Sequence, residues 1–182
     1  QGQTIHSFFN LAPNASLEEA RIAAKRHRKK ELFRSLVEIV IDEISMVRSD
    51  LLDCIDAFLQ TVRQSPLPFG GVRMVFFGDL YQLPPVVTRH EHAEFHQLYE
   101  SPYFFDADVM KRVFQESLFG LRTIELDKVF RQTDTHFVEI LNAIREQSVT
   151  EEHLNQLNQR VASDIDSEHA IVLTGRRNAA LQ

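Results

Sequence analysis

The segment from Val37 to Met46 constrains the fold more than any other part of the chain. It reads Val-Glu-Ile-Val-Ile-Asp-Glu-Ile-Ser-Met, a run of β-branched and aliphatic residues that ends in two carboxylates. Such a run is typical of a buried parallel strand, and open α/β sheets bind ligands at the carboxyl edge of their strands. Because burying Asp42 and Glu43 without partners would cost several kcal/mol, we expect them to meet a metal ion, another cation or water.

This acidic pair suits nucleotide chemistry. In P-loop NTPases an aspartate at such a strand tip holds Mg²⁺, usually through water, and a following glutamate can accept the proton of the attacking water. Acidic pairs also close many strands by chance, so this segment alone leaves the chemistry open.

A second predicted buried strand, Val72 to Phe77, leads into a stiff polar loop. The loop reads Gly78-Asp79-Leu80-Tyr81-Gln82-Leu83-Pro84-Pro85-Val86, and its two consecutive prolines are incompatible with helix. The Gln82 amide lies where it could donate to a phosphate oxygen, which favours a sensing role. Arg131 follows a short predicted strand, Thr123 to Leu126, and it could stabilise a transferring phosphoryl group or form an interdomain salt bridge.

Helical periodicity around these strands predicts an α/β fold. Ser16 is the predicted N-cap of a helix that extends to Leu36, and apolar spacing predicts a second helix from Asp50 to Val62 that packs onto the sheet. Further helices are predicted at residues 104–113, 137–144 and 151–161, and a last strand at residues 170–174. The 182 residues suffice for one domain and the beginning of another.

Composition excludes little. The net charge of −6 argues against a uniformly basic surface, although a local basic groove could still bind nucleic acid. Six of the ten residues from Arg21 to Lys30 are Lys or Arg, which is more often a solvated helix face than a nucleic-acid contact. The single cysteine, Cys54, is predicted to fill the core, and no apolar run approaches the roughly 18 residues that span a bilayer.

The first residues combine small, hydroxyl, imidazole and aromatic side chains. Thr4, His6 and Ser7 could donate to phosphate or sugar oxygens, while Phe8 or Phe9 could stack on a base. The alternative, which the residues alone favour, is a helix start whose Phe pair enters the core. Three histidines and two glutamates from His90 to His96 suggest zinc, but their order misses the His-Glu-x-x-His spacing, so solvent-facing residues are the better interpretation.

Four motifs in order resemble those of the Pif-like branch of superfamily-one DNA helicases, relatives of RecD. The motifs are Gly-Gln-Thr-Ile-His-Ser-Phe-Phe at 2–9, Ile-Asp-Glu-Ile-Ser-Met at 41–46, Gly-Asp-Leu-Tyr-Gln-Leu-Pro-Pro-Val at 78–86 and Val-Phe-Arg-Gln at 129–132. Leu-Thr-Gly-Arg-Arg-Asn at 173–178 extends the resemblance weakly. Such helicases couple ATP hydrolysis to 5′-to-3′ movement along single-stranded DNA, with ATP between two RecA-like domains.

The resemblance implies a RecA-like P-loop NTPase core with a mostly parallel sheet, divided into a first motor domain at 1–121 and the start of a second at 122–182. It implies that Asp42 positions Mg²⁺ through water, Glu43 activates the hydrolytic water, Gln82 contacts the γ-phosphate of ATP and Arg131 is the arginine finger. Thr4 and His6 fall in the single-strand contact motif.

The same resemblance implies partners and location. Single-stranded DNA and DNA junctions are the implied partners, with no membrane. The implied processes are DNA repair, recombination and telomere maintenance, in the bacterial cytoplasm at the nucleoid or in a eukaryotic nucleus. It leaves the oligomeric state open.

The phosphate-cradling Gly-x-x-x-x-Gly-Lys-Ser/Thr loop is missing, because none of the six glycines is followed by lysine. We interpret this as truncation before the first strand and its loop, so the chain by itself is expected to bind ATP poorly and not to unwind DNA. Two alternatives remain: a metal-dependent nuclease that uses Asp42, Glu43 and Asp79, and a helicase remnant that binds DNA or protein without turnover.

Overall fold

The computed structural model describes residues 2–115, 120–161 and 173, and the chain divides into two compact units, Gln1–Glu125 and Leu126–Gln182. The first unit ends near the predicted domain boundary at residue 121. Assigning the two units to two RecA-like motor domains stays a prediction.

The sheet of the described residues has two parallel strands, β1 (Glu38–Ile41) and β2 (Arg73–Phe76). Ile39 pairs with Met74 and Ile41 with Phe76, so both predicted strands and their parallel arrangement are confirmed. Both strands were predicted to be buried, and this is only partly correct: Ile41 is buried, but Val40 is 56% exposed, and the residues of β2 are exposed or half-buried. Ile39 and Ile41 belong to the core, whereas Val40, on the other face of β1, is largely exposed.

Helix α4 (Ser49–Arg63) forms the centre of the core, as the apolar spacing predicts. Leu52, Ile55 and Phe58 on this helix are completely buried. Cys54 is also buried, and its Sγ donates to the Ala15 carbonyl oxygen at 3.1 Å, so its predicted place in the core is confirmed. Burial raises the pKa of the Cys54 thiol to about 12, which keeps it protonated and unreactive.

The predicted helix from Ser16 to Leu36 is two helices, α2 (Leu17–Arg26) and α3 (Lys30–Ser35). Ser16 is the N-cap, as predicted, and forms a capping box with Glu19. The prediction of one continuous helix is wrong because His27 adopts an extended conformation, with φ −62° and ψ 132°. Its ring Nδ1 accepts from the Lys29 backbone N–H at 3.1 Å, which stabilises a turn between the helices.

An aromatic cluster joins this turn to α1 (Ile5–Phe9). The Phe33 ring lies 5.0 Å from that of Phe8, 5.6 Å from Phe9 and 4.9 Å from Phe58, centroid to centroid. The His27 ring meets Phe33 edge-on at 4.8 Å. Phe9 is 1% exposed, so the Phe pair enters the core and base stacking by Phe9 is excluded.

The remaining described helices are α5 (His92–Leu98), α6 (Asp108–Gln115), α7 (Thr135–Arg145) and α8 (Glu151–Asn158). The predicted helices at 137–144 and 151–161 are thereby confirmed, while the one predicted from Phe104 begins only at Asp108, after a 3₁₀ turn. No described helix is long and apolar enough to cross a membrane.

The prediction of a strand from Thr123 to Leu126 is wrong. These residues have no regular secondary structure, and Ile124 and Leu126 are exposed. A strand requires a neighbour for its backbone hydrogen bonds, and no described strand lies beside this segment. The predicted strand at 170–174 and the motif at 173–178 lie, apart from Leu173, outside the described residues.

Candidate nucleotide and DNA site

The two polar segments predicted to act together leave the sheet at the same edge. β1 and β2 are parallel neighbours, so the Asp42-Glu43 pair and the Gly78–Gln82 loop both begin at carboxyl ends of strands. The ladder continues past the strands: the Phe77 N–H donates to the Ile41 carbonyl at 2.9 Å, and the Ile44 N–H donates to the Phe77 carbonyl at 2.8 Å. These bonds fix the two segments against each other.

Gly78 permits their close approach. A Cβ atom added at this position would lie 2.9 Å from Ile44 Cγ2 and 3.1 Å from the backbone nitrogens of both Ile44 and Ser45. Backbone atoms cannot move aside as a flexible side chain can, so any larger residue would push the acidic segment away from the loop. The glycine therefore sets the spacing between the candidate metal-binding and sensing segments.

Asp42 and Glu43 are both exposed, and neither forms a salt bridge within the described residues. Glu43 has a left-handed backbone, with φ 54° and ψ 44°, and its N–H donates to Asp42 Oδ1 at 3.1 Å. Two adjacent solvent-facing carboxylates with no cation beside them fit a hydrated Mg²⁺ ion, which prefers oxygen ligands and keeps several waters.

Asp79 organises the loop that carries Gln82. Its Oδ1 accepts from the Tyr81 backbone N–H at 3.0 Å, and its Oδ2 accepts from Gln82 Nε2 at 3.3 Å. The Gln82 N–H also donates to the Asp79 carbonyl at 3.1 Å. The sequence identified the Gln82 amide but missed the carboxylate that holds it, although an aspartate after a strand glycine is a common turn former.

A salt bridge ties together the two segments beyond the strand tips. Arg48 follows Glu43 by five residues, and its guanidinium contacts Glu91 at 3.3 Å, Asp50 at 2.6 Å and the Phe95 ring at 5.1 Å. The Thr88 hydroxyl and backbone N–H donate to Glu91, and these bonds lower its pKa. Sequence reasoning missed this link because its members lie 43 positions apart.

Two more acidic residues, Asp53 and Asp56, are buried on α4 and were also missed. Asp53 accepts from the backbone N–H groups of Asp108 and Val109 at 3.0 and 2.8 Å and from the Tyr99 hydroxyl at 2.9 Å. Asp56 accepts from the Phe69 N–H at 2.6 Å and contacts the Arg112 guanidinium. Burial raises the pKa of both carboxyls. Their position on the apolar face of α4 was the available signal.

Thr4 and His6 line an open groove of about 1320 Å³, which we call the N-terminal groove. Its walls include residues 2–10, the 26–29 turn and residues 38–42. Thr4 caps α1 by accepting from the Ser7 N–H at 3.3 Å, so its hydroxyl proton remains available to an acceptor in the groove. The structure thus brings both predicted DNA-contact residues and Asp42 to one surface of the first unit.

Arg131 lies in the second unit, in an exposed segment without regular secondary structure. Within the same segment the Lys128 ammonium lies 4.8 Å from the centroid of the Phe130 ring. Its role as an arginine finger stays a prediction.

The described residues give no support to the zinc interpretation or to the nuclease. Within them, no three His, Cys, Asp or Glu side chains are arranged to hold a metal ion, which the shared-metal site of Asp42, Glu43 and Asp79 would require. The His92 and His96 rings lie 4.3 Å apart on α5, and His90, His92 and His96 are exposed, as the solvent-facing interpretation predicted.

Comparison with known proteins identifies relatives of the whole region. The family model described as PIF1-like helicase matches residues 1–155. The ATP-dependent DNA helicase PIF1 of Homo sapiens is 34% identical over 174 residues, which are 95% of this chain and 25% of that protein. The ATP-dependent DNA helicase RRM3 of Saccharomyces cerevisiae is 35% identical over 148 residues, 79% of this chain and 18% of that protein.

Solved structures agree with the sequence matches. The Pif1 helicase from Bacteroides in complex with ADP-AlF3 and single-stranded DNA is 36% identical, with a TM-score of 0.72, over 91% of this chain and 38% of that one. A structure of two coordinating Pif1 helicases at forked double-stranded DNA is 40% identical, with a TM-score of 0.76 over 90% of this chain and 38% of that one. The chain therefore spans about a fifth to a quarter of these curated relatives and carries part of a RecA-like α/β core.

Proposed function

The chain belongs to the PIF1-like helicase family, and from that premise we propose that the whole protein is an ATP-dependent 5′-to-3′ DNA helicase that moves along single-stranded DNA. One observation carries the proposal: parallel pairing and the close contact at Gly78 hold an exposed acidic pair and an amide-bearing loop at the same sheet edge. This is the arrangement that binding and sensing a nucleoside triphosphate requires.

The two carboxylates, Asp42 and Glu43, would have different roles in ATP hydrolysis. Asp42 would hold Mg²⁺ through water, and the bound ion would neutralise charge on the phosphate oxygens. Glu43, whose carboxylate is exposed, would accept the proton of the water that attacks the γ-phosphate. The left-handed backbone at Glu43 turns the chain directly after Asp42, so the two neighbouring carboxylates can take separate roles.

Gln82 would report on the γ-phosphate. Its side-chain amide donates to Asp79 at 3.3 Å, a long hydrogen bond that a phosphate oxygen can replace at low cost. When the phosphate leaves, the amide would return to Asp79, and this exchange would move the loop. The Glu91–Arg48 salt bridge would pass the movement on to the segment beyond Glu43.

The second unit would contribute Arg131 as the arginine finger, and Thr4 and His6 would contact the DNA strand. The proposed partners are ATP, Mg²⁺, single-stranded DNA and DNA junctions. Roles in DNA repair, recombination or telomere maintenance, at the bacterial nucleoid or in a eukaryotic nucleus, belong to the same proposal.

The test is Glu43→Gln in the whole protein. Loss of the base should lower DNA-stimulated ATP turnover by about 10²- to 10⁴-fold while ATP binding persists. Glu31→Gln is the matched control, because Glu31 lies on α3, pairs with Arg34 and does not line the N-terminal groove. Undiminished turnover in Glu43→Gln would exclude Glu43 as the base. Turnover absent from the wild type itself would favour a remnant that binds without catalysis.

A second variant, Arg131→Ala, tests the contribution of the second unit. Removing a cation that acts on the transition state should lower kcat by about 10³-fold or more and leave nucleotide affinity mostly intact. Lys128→Ala removes a nearby exposed charge and is expected to have little effect on kcat. Normal turnover in Arg131→Ala would leave a salt bridge as the role of this residue.

A further inference from the structure

The basic run that the sequence left unassigned contributes to the N-terminal groove. Arg26, Arg28 and Lys29 line it together with Thr4 and His6. Arg26 is the last residue of α2. Because the run is interrupted at His27, Arg28 and Lys29 lie on the turn between α2 and α3. The interpretation as a solvated helix face fits Arg26 and the other exposed basic residues of α2, but not Arg28 and Lys29, which lie outside both helices.

The charges of this turn are not neutralised within the described residues. The described salt bridges include Arg21, Arg34, Arg48, Arg73 and Arg112 but none of the five Lys and Arg residues from Lys25 to Lys30. A cluster of five uncompensated cations in a chain of net charge −6 is stabilised by binding an anion.

The aromatic cluster fixes the turn relative to α1. His27 packs edge-on against Phe33 at 4.8 Å and Phe58 at 5.6 Å, and the Phe33 ring also contacts Phe8 of α1. The desolvation of His27 lowers its pKa, which keeps the ring neutral and able to accept from the Lys29 N–H. The cations and the α1 donors are therefore held on one scaffold, not on independent flexible segments.

The acidic side chains of the groove do not oppose an anionic ligand. Glu38 is paired with Arg73, and Asp42 has its own proposed role at Mg²⁺. The other polar groups of the groove are hydroxyl, imidazole, guanidinium and ammonium donors, which lie beside apolar side chains such as those of Phe8 and Val40.

We infer that Arg26, Arg28 and Lys29 form a phosphate-binding extension of the Thr4–His6 site, which tracks the backbone of single-stranded DNA without reading its bases. This rests on the proposed function, since it adds a second set of contacts to the same strand. Backbone contacts of this kind supply affinity and salt dependence, not sequence preference.

The experiment compares two double variants of the whole protein that remove equal charge. Arg28→Gln/Lys29→Gln alters the groove, whereas Lys25→Gln/Lys30→Gln alters residues of the same run that do not line it. Binding of a fluorescent oligothymidylate is followed by anisotropy over a series of salt concentrations. Two lost phosphate contacts should reduce the slope of log K against log salt by about 1.4 and weaken binding about 10- to 30-fold near 0.1 M salt.

The control double variant should keep most of the wild-type slope, and Arg28→Lys/Lys29→Arg, which keeps both charges, should restore it. Equal slopes in the groove variant and the wild type would overturn the inference while leaving the helicase proposal intact. Equal losses in the groove and control variants would overturn it as well, in favour of a diffuse charge effect. A wild type that does not bind the oligonucleotide would refute the proposed function and this extension together.

Discussion

Two pairs of carboxylates in the first unit lie in opposite environments. Asp42 and Glu43 are exposed, and neither forms a salt bridge in the part of the chain that the structure describes. Asp53 and Asp56 are buried on α4, and backbone N–H groups donate to both. A buried carboxylate whose oxygens are already occupied stabilises the fold, whereas an exposed pair at a strand tip can bind a ligand. Environment, not residue type, separates the structural acids from the candidate catalytic ones.

The largest expected effect tests whether the buried carboxylates stabilise the fold. Asp53→Ala leaves two backbone N–H groups and the Tyr99 hydroxyl without their acceptor, which should lower the free energy of unfolding by about 3 kcal/mol. Asp42→Ala should change it by less than about 0.5 kcal/mol. Urea unfolding of both variants measures the difference. Similar losses for the two would contradict the division.

The second largest effect tests how Gly78 positions the exposed pair Asp42 and Glu43. Gly78→Ala should cost about 1–3 kcal/mol, because its Cβ would press on the backbone of Ile44 and Ser45. It should also reduce ATP turnover in the whole protein by spreading the two segments. Gly120→Ala is the control, since its Cβ meets nothing within 4 Å. Full turnover in Gly78→Ala would show that the spacing is not critical.

The smallest effect is a pH dependence. Burial raises the folded-state pKa of Asp53 above its ordinary value of 3.8, so the folded state holds the proton more tightly than the unfolded chain. Its contribution to stability is therefore fully present below about pH 3.8 and is lost as the pH rises through the raised value. Asp53→Asn cannot titrate, so the stability of the wild type relative to this variant should fall as pH rises across that window.

Chemical denaturation at several pH values measures that difference. The altered hydrogen bonding of the amide adds a constant offset. The titration of Asp56 does not cancel completely, because the charge of Asp53 helps to raise the pKa of Asp56, so Asp56→Asn and the double variant are measured beside it. A difference that rises with pH would mean that hydrogen bonds to the carboxylate outweigh its desolvation.

The sequence predicted what local patterns determine. The strand that leads to Asp42, the helix around Phe58 and the N-cap at Ser16 depend on residues close together in the chain, and all three are present. The break at His27 was not predicted. The ring of His27 packs against Phe58, which lies 31 positions further along the chain, and sequence periodicity does not report such a contact.

The residues of the candidate site also fall into those predicted from the sequence and those seen only in the structure. Asp42, Glu43 and Gln82 were found from motifs and strand ends. Asp79 bonds to Gln82 only three positions away, a local contact that an aspartate in a turn indicates, whereas Arg48 contacts Glu91 only when the chain folds. No periodicity in the sequence reports such contacts between distant segments.

The left-handed backbone of Glu43 limits which residues can replace it. Non-glycine residues pay roughly 1–2 kcal/mol for this conformation, least for asparagine and aspartate and most for β-branched side chains. In a saturation library, Val or Ile at this position would combine a conformational penalty with the loss of the carboxylate, and Gly would relieve strain while removing the proposed base. Substitutions at this one position can thus separate the effect of losing the carboxylate from the effect of backbone strain.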